Sequence, residues 1–263
     1  RSDARSTIAA DDIERAGLDP VDLVMAAVKD QAIVLRHLDY SETSQVLAVL
    51  TREHGQQRLI AKGVKRSSKK RPAIAIDLLE RGEAVYLPAL RSEAGLGTLT
   101  EWRQVQAYLG LRHHLHRWYA GQYAAEITAA MTEEADPHPG LFDALADLLA
   151  NLCRADEVTG LLVRYQRTVL IEAGLWPDLS RCVTCDRPAP ENRAAFFSAQ
   201  QGGLVCRLCQ PRTHDARKVD AAVLTALRSG RDDPRTAPAA LALLDHVIVH
   251  IIGRPTSLGR SPL

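Results

Sequence analysis

The sequence predicts an α+β chain of more than one domain, a small β-barrel of the OB or SH3 type followed by an α-helical bundle that carries a four-cysteine finger. Three observations predict it. Short apolar runs rich in β-branched residues recur between residues 32 and 100, with turn residues in the gaps. After Trp102 the apolar period changes from two to about 3.6. Four of the five cysteines stand as two tight pairs.

Taken in order, residues 1–30 read as an extension. Within them Asp19 can cap a short helix with Pro20 in its first turn. Asp3, Asp11, Asp12 and Glu14 and the absence of a long apolar run exclude a secretory signal. Strands are predicted at residues 32–35, 45–50, 58–61, 75–79, 84–87 and 97–100. His54-Gly55, Gly63, Arg81-Gly82 and Gly95-Leu96-Gly97 supply the turns. Five or six short strands in so few residues suit a small closed barrel, assigned to residues 31–103.

The helical domain is assigned to residues 104–263. Tyr108, Leu111, Leu115, Trp118, Tyr123 and Ile127 mark a first helix ending before Asp136-Pro137. Leu141, Leu145, Leu148 and Leu152 mark a second, and Leu161, Leu162, Tyr165, Val169 and Ala173 a third capped by Gly174. Two more helices, at residues 221–228 and 239–252, follow an irregular insert that holds the cysteines at about 178–212.

At 263 residues, 46% hydrophobic and 25% charged, the chain can bury a core of two ordinary domains. No stretch approaches the roughly 20 apolar residues of a membrane helix, so a soluble, cytoplasmic protein is expected. Five cysteines are too few for a disulfide scaffold, and Cys153 reads as a buried small hydrophobe. The net charge of +1 hides an uneven distribution: residues 58–71 carry seven cations and no acid.

Cys182-x2-Cys185 and Cys206-x2-Cys209 are separated by twenty residues. Each pair forms a knuckle, and two knuckles close a tetrahedron around zinc with every position filled by protein. Catalytic zinc needs an open position, so one structural zinc per chain is expected. Arg181, Arg187 and Arg207 flank the site and offset its charge. A redox centre is the weaker reading, since neither pair sits in a strand, turn and helix of the thioredoxin kind.

Arg58, Lys62, Lys65, Arg66, Lys69, Lys70 and Arg71 form the second signal, starting in a strand and running into a Gly-Ser loop suited to a phosphate backbone. An acidic protein partner is the competing reading, which would make the chain a zinc-stabilised adaptor. The barrel context favours nucleic acid. Aromatic platforms are few: Tyr40, Tyr86 and Trp102, any of which can be core. Arg112, His113, His114, His116 and Arg117 read as a solvated basic face and not as ligands. No Walker A, His-Glu-x-x-His or Gly-x-Ser-x-Gly sequence occurs, and no His-x-Glu accompanies the cysteines, so no enzyme is expected.

Several strings together resemble the bacterial recombination mediator RecO family, from about residue 31 to the end. Ala32-Ile-Val-Leu-Arg36, Asp39-Tyr-Ser-Glu42, Leu50-Thr-Arg-Glu-His-Gly55 and Ala61-Lys-Gly-Val-Lys-Arg66 look like its first three strands. Gly174-Leu-Trp-Pro-Asp-Leu-Ser-Arg-Cys182 and Phe197-Ser-Ala-Gln-Gln-Gly-Gly203-Leu-Val-Cys206 look like its zinc module. The resemblance implies DNA repair and recombination without a catalytic residue. It implies binding of single- and double-stranded DNA, strand annealing, and loading of RecA together with RecR, the C-terminal tail of SSB and, indirectly, RecF. The acidic, Phe-ended SSB tail is expected on the helical domain, with Arg112, His113 and Arg117 as its rim.

Overall fold

The computed structural model describes residues 27–62, 75–89, 95–190, 193–231 and 233–260. The expected helix near Asp19 and the basic residues Lys65, Arg66, Lys69, Lys70 and Arg71 lie outside them.

Five strands, β1 (Val28–Asp39), β2 (Gln45–Thr51), β3 (Gly55–Ala61), β4 (Arg81–Leu87) and β5 (Gly97–Gln106), close into a barrel of order β1-β2-β3-β5-β4. Within the barrel only the β3–β5 pairing is parallel. Closure follows from alternation: Ala32, Val34, Leu47, Val49, Leu59, Ala61, Ala84, Tyr86 and Leu99 fill the interior, while the outward face differs from strand to strand. On β1 both faces are apolar. Ile33 and Leu35 turn away from the barrel interior and join a second, larger core with the helices, which is why residues 32–35 read as an unbroken apolar run.

The strand expected at residues 75–79 is not one. This segment is a turn laid across the end of the barrel. Gln45 reaches it with both ends of its amide: Nε2 donates to the Ile76 carbonyl (3.3 Å), and the Ile76 N–H donates back to Oε1 (3.0 Å). The Leu79 N–H donates to Val34 O and the Val34 N–H to Glu80 O, both 2.9 Å, beside the irregular register at Val34/Arg36 of β1. Leu79, with φ 65°, drops into the helical core and Ile76 into the barrel core. The apolar run was real, but its members serve two cores and not one pleated face.

Five α-helices follow: α1 (Leu115–Met131), α2 (Pro139–Leu152), α3 (Thr159–Glu172), α4 (Ala221–Ser229) and α5 (Ala237–Ile252). The first expected helix is broken. Tyr108 is left-handed, Leu109–His113 forms a 3-10 turn and His114 is extended. The turn packs as a separate piece, with Gly110 so close to Cys153 that a Cβ would meet the Cys153 carbonyl at 2.7 Å. Leu115 consequently lies exposed and outside the core. The predicted positions of α2 and α3 are buried as expected, apart from the half-buried Leu161 and Ala173, and α3 ends in a left-handed turn at Gly174.

The insert is more regular than the sequence suggested. Strands β6 (Asp178–Cys182), β7 (Ala195–Ser198), β8 (Gly203–Val205) and β9 (Arg217–Val219) form a sheet of order β6-β8-β7-β9. Leu179, Phe197, Leu204 and Val219 share the core of the helices. No helix of the described residues is long and apolar enough to cross a membrane.

Candidate nucleic-acid interface and metal centre

Register fixes what meets at the open end of the barrel. Asp39 pairs with Gln45 and Gln45 with Ala61, while Ala61 pairs with Leu99 and Leu87 with Thr98. The β1–β2 turn carrying Tyr40, the end of β3 carrying Lys62 and the β4 end at Leu87 therefore emerge together. The turn is closed by Tyr40 N–H to the Ser44 carbonyl (3.0 Å).

Of the predicted cations, Arg58 and Lys62 are described, and both are exposed, Arg58 on β3 and Lys62 in the turn just past its end. Arg58 faces Glu134 at 3.7 Å, a loose pair with both partners half exposed, which leaves its charge largely free to solvent. The three barrel aromatics separate cleanly. Tyr86 is buried, and burial pushes its hydroxyl up to about 12. Trp102 packs on Gly82 and donates Nε1–H to Glu80 at 3.0 Å. Tyr40 alone is open, at 68% exposure. The sequence offered all three, and the signal for Tyr40 was its place between Asp39 and Ser41 in a polar turn.

The second centre lies on the small sheet. The sulfurs of Cys182, Cys185, Cys206 and Cys209 all lie within 4.8 Å of one another. Cys185 and Cys206 are 3.7 Å apart, too far for a disulfide at about 2.05 Å and equal to the edge of a tetrahedron around a metal with bonds of about 2.3 Å. Cys182 ends β6, and Cys206 follows β8, which runs parallel to it. Each knuckle is closed by its backbone, with Asp186 N–H to the Cys182 carbonyl (2.8 Å) and Cys209 N–H to the Cys206 carbonyl (3.0 Å). Across the centre the Cys206 N–H donates to the Cys182 sulfur at 3.2 Å. Burial opposes ionisation of Cys182, but the N–H groups of Cys206, Thr184 and Cys185 outweigh it and bring the thiol down to about 6. Four converging sulfurs with N–H donors around a thiolate are a donor set able to hold a metal ion.

The flanking cations behave unequally. Arg181 is held by Asp186 at 2.8 Å, whereas Arg187 and Arg207 are exposed and carry no ion pair among the described residues. On the helical side Arg112, His113 and His114 are exposed, and Arg112 pairs with Asp77. Arg117, expected on that same open face, is buried and gives Nη1 to the Cys153 carbonyl at 2.9 Å. Held inward by that carbonyl and by Asp156, it forms no rim. A pocket of about 190 Å³ between α3, α4 and α5 has an apolar wall of Val163, Ile171 and Leu227 with Arg164, Arg167, Arg231 and Asp233 around it, and sequence reasoning did not find it.

Residues 25–108 match the family described as "Recombination protein O N terminal", and residues 112–248 match "Recombination protein O C terminal". Curated proteins named DNA repair protein RecO are similar along most of the chain. The one from Myxococcus xanthus is 30% identical over 88% of this chain and 94% of its own length. That from Anaeromyxobacter dehalogenans is 31% identical over 88% and 93%, and that from Rhodopirellula baltica 32% over 80% and 77%. The barrel, the helices behind it and the four-sulfur centre thus belong to a chain that is a member of the RecO family of DNA repair proteins.

Proposed function

We propose that this chain is a non-enzymatic recombination mediator of the cytoplasm and nucleoid. It binds single- and double-stranded DNA, anneals complementary strands, and assists RecA loading with RecR, and indirectly RecF, on DNA coated by SSB. The observation that carries the reading is the barrel end at which Tyr40 and Lys62 emerge together, at the start of the basic run Lys62, Lys65, Arg66, Lys69, Lys70 and Arg71. Arg58 extends the same face along β3. Two DNA strands repel each other, and cations that neutralise phosphates on both lower the cost of bringing them together, while base pairing supplies the selectivity. Tyr40 adds a stacking platform that accepts every base. Cys182, Cys185, Cys206 and Cys209 would hold one zinc, which supplies a cross-link between two knuckles with no open position for chemistry. The pocket between α3, α4 and α5 suits the acidic, Phe-ended SSB tail, because three guanidinium groups against one carboxylate, Asp233, border its apolar wall.

The test is single-strand binding over a salt series, joined to annealing of complementary strands with and without SSB. The logarithm of affinity should fall against that of salt with a slope of about −3 to −5. Replacing Lys65, Arg66, Lys69 and Lys70 together by alanine should flatten the slope and slow annealing alike for every sequence. Tyr40→Ala should weaken binding by about 1–3 kcal/mol without changing the slope, and Tyr40→Phe should restore it. A folded quadruple variant with wild-type affinity and slope would remove the basic run from the site.

A further inference from the structure

A cleft of about 600 Å³ opens on the metal-bearing sheet, well away from the barrel strands in sequence. Its floor is set by register. Phe196 of β7 pairs with Val205 of β8 on one side and with Lys218 of β9 on the other, so these three side chains form one cross-strand row on one face. The neighbouring Phe197 points the other way, into the core. Pro188, Ala189 and Pro190, just past the first knuckle, make one wall, and Arg207 and Leu208 of the second knuckle make the other. Cys182 and Cys206 close the end.

Three cations, Arg187, Arg207 and Lys218, border this cleft, and all three are exposed. None has an ion pair among the described residues, and no carboxylate is among the described residues that line the cleft. Three described acids of the module, Asp178, Asp186 and Asp215, are taken up by other partners. Asp178 accepts from Ser180 and Asp186 from Arg181, while Asp215 accepts from Ser198 and Gln200. Leu208, between Arg207 and Cys209, is 70% exposed, a cost for a side chain with nothing to cover it. A cleft of this volume takes a group the size of one or two nucleotides. An aromatic ring on the floor with apolar side chains beside it offers a base a face to stack on, and cations at the border meet the phosphates on either side.

We propose that this cleft is a second nucleic-acid site, which holds a short single-stranded segment with a base against Phe196 and its phosphates against Arg187, Arg207 and Lys218. The inference rests on the reading of the chain as a DNA-binding protein and adds a site away from the barrel. It gives the four-sulfur centre a consequence beyond stability, since both walls hang from knuckles that the metal would tie. It also gives annealing two separate places for two strands. Charge favours nucleic acid over an acidic peptide, because the three cations come from three separate segments, Arg187 just past the first knuckle, Arg207 in the second and Lys218 on β9, as successive phosphates of a strand would meet them.

The experiment uses the full chain with Arg187, Arg207 and Lys218 replaced together by alanine, and separately Phe196→Leu, each checked for metal content and thermal unfolding. With labelled oligothymidylate, the triple variant should keep its metal and its unfolding midpoint. Its salt slope should fall by about 2, from three lost phosphate contacts, and annealing should slow at least tenfold. Phe196→Leu should lower affinity about fivefold or more at unchanged slope. A triple variant with metal intact and with unchanged slope and annealing overturns the second site and leaves the barrel reading standing. Loss of metal in that variant also overturns it, since the cations would then serve the thiolates. So does loss of binding to an acidic, Phe-ended peptide with DNA binding unaltered, which would make the cleft a peptide site. Failure of the unmodified chain to bind oligothymidylate at all would remove the proposed function itself.

Discussion

Asp245 shows how a single side chain sets a pH dependence. It sits on α5 and its Oδ1 accepts from the Tyr123 hydroxyl (3.0 Å) and the Thr256 hydroxyl (2.7 Å). Burial pushes its carboxyl up, those two donors pull it down, and the nearby Glu126 charge pushes it up again, with the net direction upward. A carboxyl whose folded pKa lies above its unfolded value of about 3.9 favours folding in its protonated form. That contribution is complete below the unfolded value and is lost as pH rises through the folded one, so the ion is carried at a cost near neutrality. Asp245→Asn keeps an acceptor for both hydroxyls and removes the charge. It should raise the urea midpoint at pH 7, with the gain vanishing near about pH 3. A lower midpoint at pH 7 would show that the ion is worth more to its two donors than its burial costs.

At the scale of the element, the β2–β3 hairpin is the piece that docks the barrel on the helices. Asp30 accepts from the Glu53 N–H (3.0 Å) and pairs with His54 Nδ1 (2.8 Å), which fixes the turn. Arg52 grips Asp143 of α2 with two nitrogens at 3.0 and 2.8 Å, and Gln56 accepts from Thr132 (3.1 Å) and from the Ala135 N–H (3.1 Å). Gly55 lies between them with φ 67°, and a Cβ there would stand 2.2 Å from the Asp136 carbonyl oxygen. Gly55→Ala should therefore cost about 2 kcal/mol or more, read as a fall in the thermal midpoint, whereas an unchanged midpoint would mean that the hairpin docks loosely.

The same elements show what the sequence could disclose. His54-Gly55 marked its turn because a left-handed residue there needs glycine. The five barrel strands were legible from apolar runs, although β1 and β5 extend beyond them into polar residues. The sheet of the insert was not legible, since strands of three to five residues are too short to show a period. Phe196 and Lys218 become neighbours only through a ladder. The cysteine pairs were legible because two ligands three positions apart are local geometry. The inward turn of Arg117 was not, because the carbonyl it meets belongs to Cys153, distant in the chain.

At the scale of the whole molecule, the packed apolar side chains of the described residues form two large clusters. One fills the barrel. The other joins the outer faces of β1 and β2 to the five helices and to Leu179, Phe197, Leu204 and Val219 of the metal-bearing sheet. Removing a metal from the four sulfurs should therefore act unevenly. Hydrogen exchange after chelation should show lost protection in β6–β9 and in the adjoining ends of α3, α4 and α5, with the amides of β3 and β4 unchanged. Uniform loss of protection would mean that the two clusters unfold as one. Cys206→Ser should reproduce the uneven pattern without chelator.

Two family descriptions meet in this chain, one ending at residue 108 and the other beginning at 112, as if a cut there would yield two portable parts. The two-sided burial of β1 argues otherwise. Ile33, Leu35, Leu50 and Leu79 are covered by the helices on the far side of that seam, and a barrel expressed without them would present that strip to water and stick to its neighbours. The barrel is thus a recognisable shape but not a detachable module. Whatever it binds is presented at a fixed angle to the helices, and the two halves can be exchanged among relatives only as a pair.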